Sequence, residues 1–402
     1  MDAGPLWIRT GARAVRVLFL SPVVPWPPRS GGRIRTLELL RGLAQLAPRP
    51  MVHMHCVREP GATPIDEFEW GATVESFTSH PRSPAPLPMR LSAPPPVRWF
   101  HSGSLRRHLR DSVRWQDFDL VHLDEMLLLP YLPAKVPVPL VVHHHKLDLD
   151  HARALGHKRS TCSRWDRLED KACTRTLHHV VCGLEDAQRL HTRHPHVRAH
   201  VIACGADTRH FEGAQRRPVQ GRVLFLGSLD YEPNVRALES FVPQLLTARS
   251  HNPDLHLQIV GARPGPRVDA LIREGVTLQA DVPEVLPFLE RSEALVAPLG
   301  IGGGSRVKIC EALAAGCPVL ASPTAAEGLE LTDGDHLTLV PEPHDWEKAL
   351  LTLLDGPAAA SEQAQRGRER IRERHSWPRL AGRLHDAWAG CLRVPARRVV
   401  RA

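Results

Sequence analysis

No segment of this 402-residue chain has the length and apolar purity of a membrane-spanning helix, so any membrane contact would be peripheral. Arg13 and Arg16 precede Val17-Leu-Phe-Leu20, but that apolar run is too short for a secretion signal and leads into prolines 22, 25, 27 and 28, so it reads as a buried strand. Aromatic residues make up 5% of the chain and do not interleave with its basic residues, which argues against nucleic acid despite a formal net charge of +8. The eight cysteines include no Cys-x-x-Cys pair, and several sit in apolar stretches. Buried free thiols in a reducing cytoplasm are therefore expected, ahead of disulfides or zinc. Two phosphate loops are missing too. Gly-x-x-x-x-Gly-Lys-Ser/Thr does not occur, and Gly300-x-Gly302-x-x-Ser305 lacks the third glycine of a dinucleotide fingerprint, which disfavours ATP and nicotinamide enzymes.

What is present is a soluble globular composition, 42% hydrophobic and 24% charged, in a chain long enough for two domains. Its charge and 24 histidines suit a polyanion, an anionic surface or a phosphorylated substrate without choosing among them. Short apolar runs at 15–21, 51–57, 119–123, 140–143 and 179–182 alternate with helical stretches, including 165–177 and 184–193. The rhythm restarts at Arg222-Val-Leu-Phe-Leu226 and continues through 255–261, 276–279, 294–299, 318–322 and 337–340. This predicts an α/β fold of two doubly wound, Rossmann-like domains, with ligand loops at the carboxyl ends of the strands and a cleft between the domains. The expected divisions are 14–211, a polar linker at 212–221, 222–375, a terminal helix at 376–392 and a basic tail at 393–402. Seven prolines between Ser79 and Arg98, without apolar periodicity, read as a mobile loop in the first domain.

The run from Arg306 to Ala315 reads as a helix with Ile309, Cys310 and Leu313 on its core face and Lys308 and Glu311 together on the other. Arg306 and Lys308 in its first turn oppose the helix dipole, so an anion is expected there. Free backbone N–H groups, the close approach allowed by Gly302, Gly303 and Gly304, the Ser305 cap and an ammonium form a phosphate cradle; a carboxylate one turn on can accept ribose hydroxyls. The bland alternative is a Lys308–Glu311 surface pair worth a few tenths of a kcal/mol. The glycines, the preceding buried strand and the unfavourable first turn outweigh it. Ser30-Gly31-Gly32 repeats the strand, glycine turn and helix pattern in the first half, before Arg33 and Arg35. In His143-His144-His145, after a strand, only His143 and His145 can share a face, and a cleft-facing hydrogen-bonding role is favoured over a metal.

Together these features resemble the family 4 retaining glycosyltransferases of GT-B fold, over most of the chain from Val15 to Leu392. The most specific similarity is Gly302-Gly-Gly-Ser-Arg-Val-Lys-Ile-Cys-Glu-Ala-Leu-Ala-Ala-Gly-Cys-Pro-Val319, which is similar to the family's donor-nucleotide motif. Others are Pro27-Pro-Arg-Ser-Gly-Gly32, Gly227-Ser-Leu-Asp-Tyr-Glu-Pro-Asn234, Ala325-Ala-Glu-Gly-Leu329 and the helix after Ser376-Trp377. The resemblance implies transfer of a sugar from a nucleotide diphosphate sugar to a glycan, lipid-linked or small-molecule acceptor, with no cofactor and no metal at the diphosphate. Glu311 would bind the ribose, Lys308 and Arg306 the diphosphate, and Gly31 and Gly32 would close on it. His145 would contact the donor sugar near the reacting carbon, with His144 as the alternative if the register shifts by one.

The pattern is broken in places. The first of the family's two glutamates is replaced by Gly303, for which Glu327 is the expected substitute. Ser228 and Asn234 stand where the family often has arginine and lysine, and Cys204 stands in Val201-Ile-Ala-Cys-Gly-Ala-Asp207 where asparagine is commoner. The alternatives are a nucleotide-sugar epimerase of related architecture and a degenerate homologue that binds nucleotide without turnover. A cytoplasmic location, with peripheral contact at the inner face of the membrane, accompanies the leading reading.

Overall fold

The computed structural model describes residues 13–59, 70–302 and 306–393. It divides into two compact units, the first taking the chain up to Pro28, Thr36–Ile202 and the chain from Pro378, the second taking Arg29–Arg35 and Ala203–Trp377. Each unit is built on one parallel sheet.

In the first unit the strands are β1 (Arg16–Ser21), β2 (Met51–Arg58), β3 (Ser76–Pro81), β4 (Leu120–Asp124), β5 (Leu140–His143), β6 (His178–Val181) and β7 (Arg198–Val201), in the order β3-β2-β1-β4-β5-β6-β7. Val17, Leu18, Phe19 and Leu20 are at most 3% exposed, as expected of a central parallel strand covered on both faces. β3 and β7 have no counterpart among the apolar runs of the sequence. Both are edge strands, and their half-exposed residues, Ser-Phe-Thr-Ser-His-Pro and Arg-Ala-His-Val, carry no continuous apolar signal.

The proline-rich stretch is not a loop throughout: Leu87–Ser92 and Pro95–Trp99 are short helices. Each carries proline in its first turn, where the missing N–H costs nothing, and Val97 buries itself in the core. Helix Trp377–Arg393 belongs to this unit from Pro378 onward. Its Trp388 is fully buried and donates from Nε1 to His122 Nδ1 on β4 at 3.1 Å.

The second unit contains β8 (Arg222–Leu226), β9 (His256–Gly261), β10 (Val276–Ala280), β11 (Ala294–Ala297), β12 (Val319–Ala321) and β13 (Thr338–Leu339), in the order β10-β9-β8-β11-β12-β13. Both sheets therefore place their first strand centrally and reverse direction beside it, which opens a crevice at the carboxyl ends of β1/β4 and of β8/β11.

The units divide at Ile202/Ala203, upstream of the polar segment 212–221 expected as a linker. That segment packs into the second unit because its polar groups are satisfied there: Arg217 N and Val219 N donate to the carbonyls of Glu290 and Arg291 at 2.9 and 3.0 Å, and the Arg216 guanidinium reaches Leu289 O at 2.8 Å. All eight cysteines are free thiols, and all but Cys162 are buried. Among the described residues no helix is long and apolar enough to cross a membrane.

Candidate functional site

The helix after β11 runs Val307–Ala314, with Arg306 as its cap residue rather than in its first turn. Val307, Ile309, Cys310 and Leu313 are buried and fix its rotation, which leaves Lys308 and Glu311 on the partly exposed side. The Lys308 ammonium does not lie in open solvent. It donates to Asn234 Oδ1 at 3.1 Å and sits 4.7 Å from the centre of the Phe225 ring. Asn234 is held in turn by donating from Nδ2 to Ser228 O at 2.9 Å. Burial pushes Lys308 down to about 7, far below an ordinary lysine.

Arg306 meets its anion inside the protein. It is 7% exposed, its guanidinium lies 3.4 Å from Glu327 Oε2, and its backbone N–H points at Cys204 Sγ, also at 3.4 Å. Glu327 directly follows the short helix Pro323–Ala326, which Ser322 caps by accepting from Ala325 N at 3.2 Å. The two cations at this helix terminus are thus accommodated differently, Arg306 by a carboxylate and Lys308 by a lowered affinity for its proton. Gly302 lies alongside, since a Cβ there would stand 3.6 Å from Glu327 Oε2. Gly303, Gly304 and Ser305 lie outside the described residues.

Gly31 and Gly32 open the helix Gly31–Ala44, which starts in the segment assigned to the second unit and continues into the first. Arg35, fully buried, donates to the carbonyl of Ala203 and approaches Cys204 Sγ at 3.9 Å. Cys204 thus connects the Gly31-Gly32 turn with the Arg306 end of the other helix, all within the second unit.

In the first unit His145 Nε2 lies 2.8 Å from Asp124 Oδ1, and His143 Nδ1 lies 3.6 Å from the same oxygen. Ser21 and Thr36 donate to Asp124 Oδ2 at 3.1 and 2.8 Å. Burial alone would raise the Asp124 pKa, but the neighbouring His145, as charge and as hydrogen-bond partner, and then His122 and Thr36 hold it below the usual carboxylate range. His144 is directed elsewhere. Its Nε2 is 3.0 Å from His179 Nδ1, and burial holds its pKa well below an ordinary histidine.

Asp124 and Phe225 are absent from the residues expected from sequence. Asp124 closes a strand as one of two adjacent acids, a faint signal; Phe225 reads only as core. Glu125, next to Asp124, adopts φ 107°, a left-handed region costly for a residue with a side chain, and burial raises its pKa. A separate cavity of about 410 Å³ lies beside Pro233, Phe241, Leu299, Pro323 and Trp346, and none of the expected ligands lines it.

Comparison with known proteins assigns this architecture. Residues 29–210 match the model described as Glycosyltransferase Family 4, and residues 220–356 match the one described as Glycosyl transferases group 1. The chain belongs to this glycosyltransferase family. Within the family, two curated glycogen synthases from Mycobacterium tuberculosis strains are each 31% identical over 196 residues, covering 45% of this chain and 46% of theirs, so the match spans about half their length. Among solved structures, sucrose-phosphate synthase from Thermosynechococcus elongatus has a TM-score of 0.71 at 17% identity, over 94% of this chain and 99% of that one. Anabaena HepE, solved with UDP-glucose, has a TM-score of 0.67 at 12% identity, over 93% and 99%. These likenesses establish a GT-B fold of two Rossmann-like sheets.

Proposed function

We propose that this family member transfers a sugar from a nucleotide diphosphate sugar, with retention of anomeric configuration, to a glycan, lipid-linked or small-molecule acceptor. The observation that carries the reading is the Lys308 ammonium, held by Asn234 at 3.1 Å at a helix N-terminus beyond the carboxyl end of β11, where burial lowers its affinity for a proton. A diphosphate there would restore its proton and sit at the positive end of the helix dipole. In this reading Gly303, Gly304 and Ser305 approach the phosphates, Gly31 and Gly32 close on them, Glu311 takes the ribose, and Arg306 with Glu327 fixes the loop. Cationic and dipolar groups replace a metal at the diphosphate.

His145, held by Asp124, serves the donor-sugar end, and the pairing of His144 with His179 makes His144 the weaker choice. Stabilisation of the leaving diphosphate drives the step, and the departing phosphate helps accept the acceptor's proton. The second unit is then the donor side and the first the acceptor side. The buried free thiols support a cytoplasmic setting, with any membrane contact peripheral at the inner face.

The test is a nucleotide-sugar panel read by ligand-induced thermal stabilisation, followed by turnover with candidate acceptors and anomeric analysis of the product. UDP-glucose comes first because HepE was solved with it. Absence of both stabilisation and turnover across the panel would sink the proposal, whereas sugar epimerised without acceptor would favour an epimerase. Nucleotide binding that Lys308→Ala abolishes, with no turnover to lose, would instead identify a degenerate homologue.

A further inference from the structure

His178 opens β6 and His200 lies on β7, the edge strand beside it. The parallel register pairs His178 with Arg198 and Val180 with His200, so the two histidines are two residues apart on one face of the sheet. Their rings stack with centroids 5.8 Å apart at 16°. Cys391, in the last turn of helix Trp377–Arg393, is 1% exposed. One ligand atom from each residue lies within 4.8 Å of the other two. His178 is 8% exposed, and its Nδ1, like Nε2 of the partly exposed His200, is buried with no hydrogen-bond partner among the described residues.

A second such group, His122, Asp124 and His143, is equally close-set, but its atoms are in use: Trp388 donates to His122, and His145 and Thr36 occupy Asp124.

The geometry points to a transition-metal site formed by His178, His200 and Cys391, with zinc as its natural occupant and the fourth position left to solvent. Two imidazoles and a thiolate are a ligand set that zinc accepts and that magnesium and calcium do not favour. The Cys391 thiol now donates to Ala387 O at 3.0 Å; on coordination the metal–sulfur bond replaces the S–H bond and the proton leaves to solvent. Partly exposed His200 supplies the entry path. The ion would fasten the end of the last helix to the two outermost strands of the first sheet, so the site is independent of the catalytic reading.

The test uses tag-free full-length protein. Zinc per chain is measured by elemental analysis, and stripped protein is then titrated with Co(II), read by the thiolate-to-cobalt charge-transfer absorption and the visible bands of a four-coordinate ion. Stoichiometric metal is expected, with the charge-transfer band lost in Cys391→Ser and affinity lowered at least about 10-fold in His200→Gln, the scale lost when even an outer partner of a ligand is removed. Zinc should also raise the melting temperature of wild type but not of His200→Gln. Substoichiometric metal with no charge-transfer band in wild type, or a band that persists in Cys391→Ser, would overturn the assignment.

Discussion

Lys308 offers the sharpest handle on the proposed donor site, because its low proton affinity and the phosphate-binding role proposed for it have to be connected. With a pKa of about 7 in the ligand-free protein, it is half charged at neutral pH. At about pH 9 only about one molecule in a hundred carries the charge. A bound diphosphate restores the proton, so UDP-glucose, whose phosphates do not titrate in this range, should bind about 100-fold more weakly at about pH 9 than at about pH 6. That is about 2.7 kcal/mol at 1.36 kcal/mol per pKa unit. Calorimetry in buffers of different ionisation enthalpy should register uptake of about half a proton per donor bound at about pH 7.

Lys308→Arg keeps the charge throughout and should flatten the pH profile, while Lys308→Met should abolish donor binding. In the free protein the sign of the linkage is reversed. The unfolded chain holds the Lys308 proton between about pH 7 and pH 10 and the folded one does not, so stability rises with pH across that window, and Lys308→Met should remove the rise. A flat donor-affinity profile in wild type, or a slope that survives in Lys308→Arg, would refute the argument.

Asp124→Asn leaves the proposed donor-binding residues of the second unit untouched but loosens His145, so turnover should fall by about 100-fold, the usual cost of a small misplacement, while donor affinity stays within about 2-fold. Steady-state kinetics beside binding isotherms separates the two effects. Gly261→Ala would place a Cβ 1.8 Å from Gly227 O, a backbone atom that has nowhere to go. It should destabilise the fold by about 3 kcal/mol in urea titrations, whereas Gly265→Ala, with nothing within 4 Å, should be near neutral. Burial, followed by neighbouring histidine charge, lowers His55 to about 3 and His80 and His179 to about 4, with a hydrogen bond to Thr176 O partly opposing the shift at His179. These folded-state values lie below the unfolded one, so the stability they contribute is present above about pH 6.5 and is lost as pH falls toward 4, at up to about 1.4 kcal/mol per pH unit for each. Melting temperature against pH should show that fall, with a shallower slope in His55→Leu.

Central strands were legible because burial on both faces leaves an apolar run; Val17–Leu20 and Val223–Leu226 stand out for that reason. Edge strands β3 and β7 were not, since one exposed face dilutes the signal. The rotation of helix Val307–Ala314 followed from Ile309, Cys310 and Leu313, and with it the side on which Lys308 and Glu311 lie. What sequence could not show was what those side chains meet. Arg306 finds Glu327 across 21 positions and Lys308 finds Asn234 across 74, pairings made by the order of strands in the sheet rather than by spacing. Cys204 looked like a departure from a family pattern, but in the fold it lies against Arg306 N and Arg35. The cluster of His178, His200 and Cys391 was equally invisible, because no local motif joins two strands to a helix so far along the chain.

The return of the last helix to the first sheet has a consequence in time. All seven strands of that sheet have been synthesised once Val201 is made, yet Trp388, which fills the core and donates to His122, comes after the whole of Ala203–Trp377. At ordinary translation rates that interval is roughly ten to forty seconds. Through it His122 on β4 is without the Trp388 indole that donates to it in the finished fold, so the first sheet is complete in sequence well before its last partner is made.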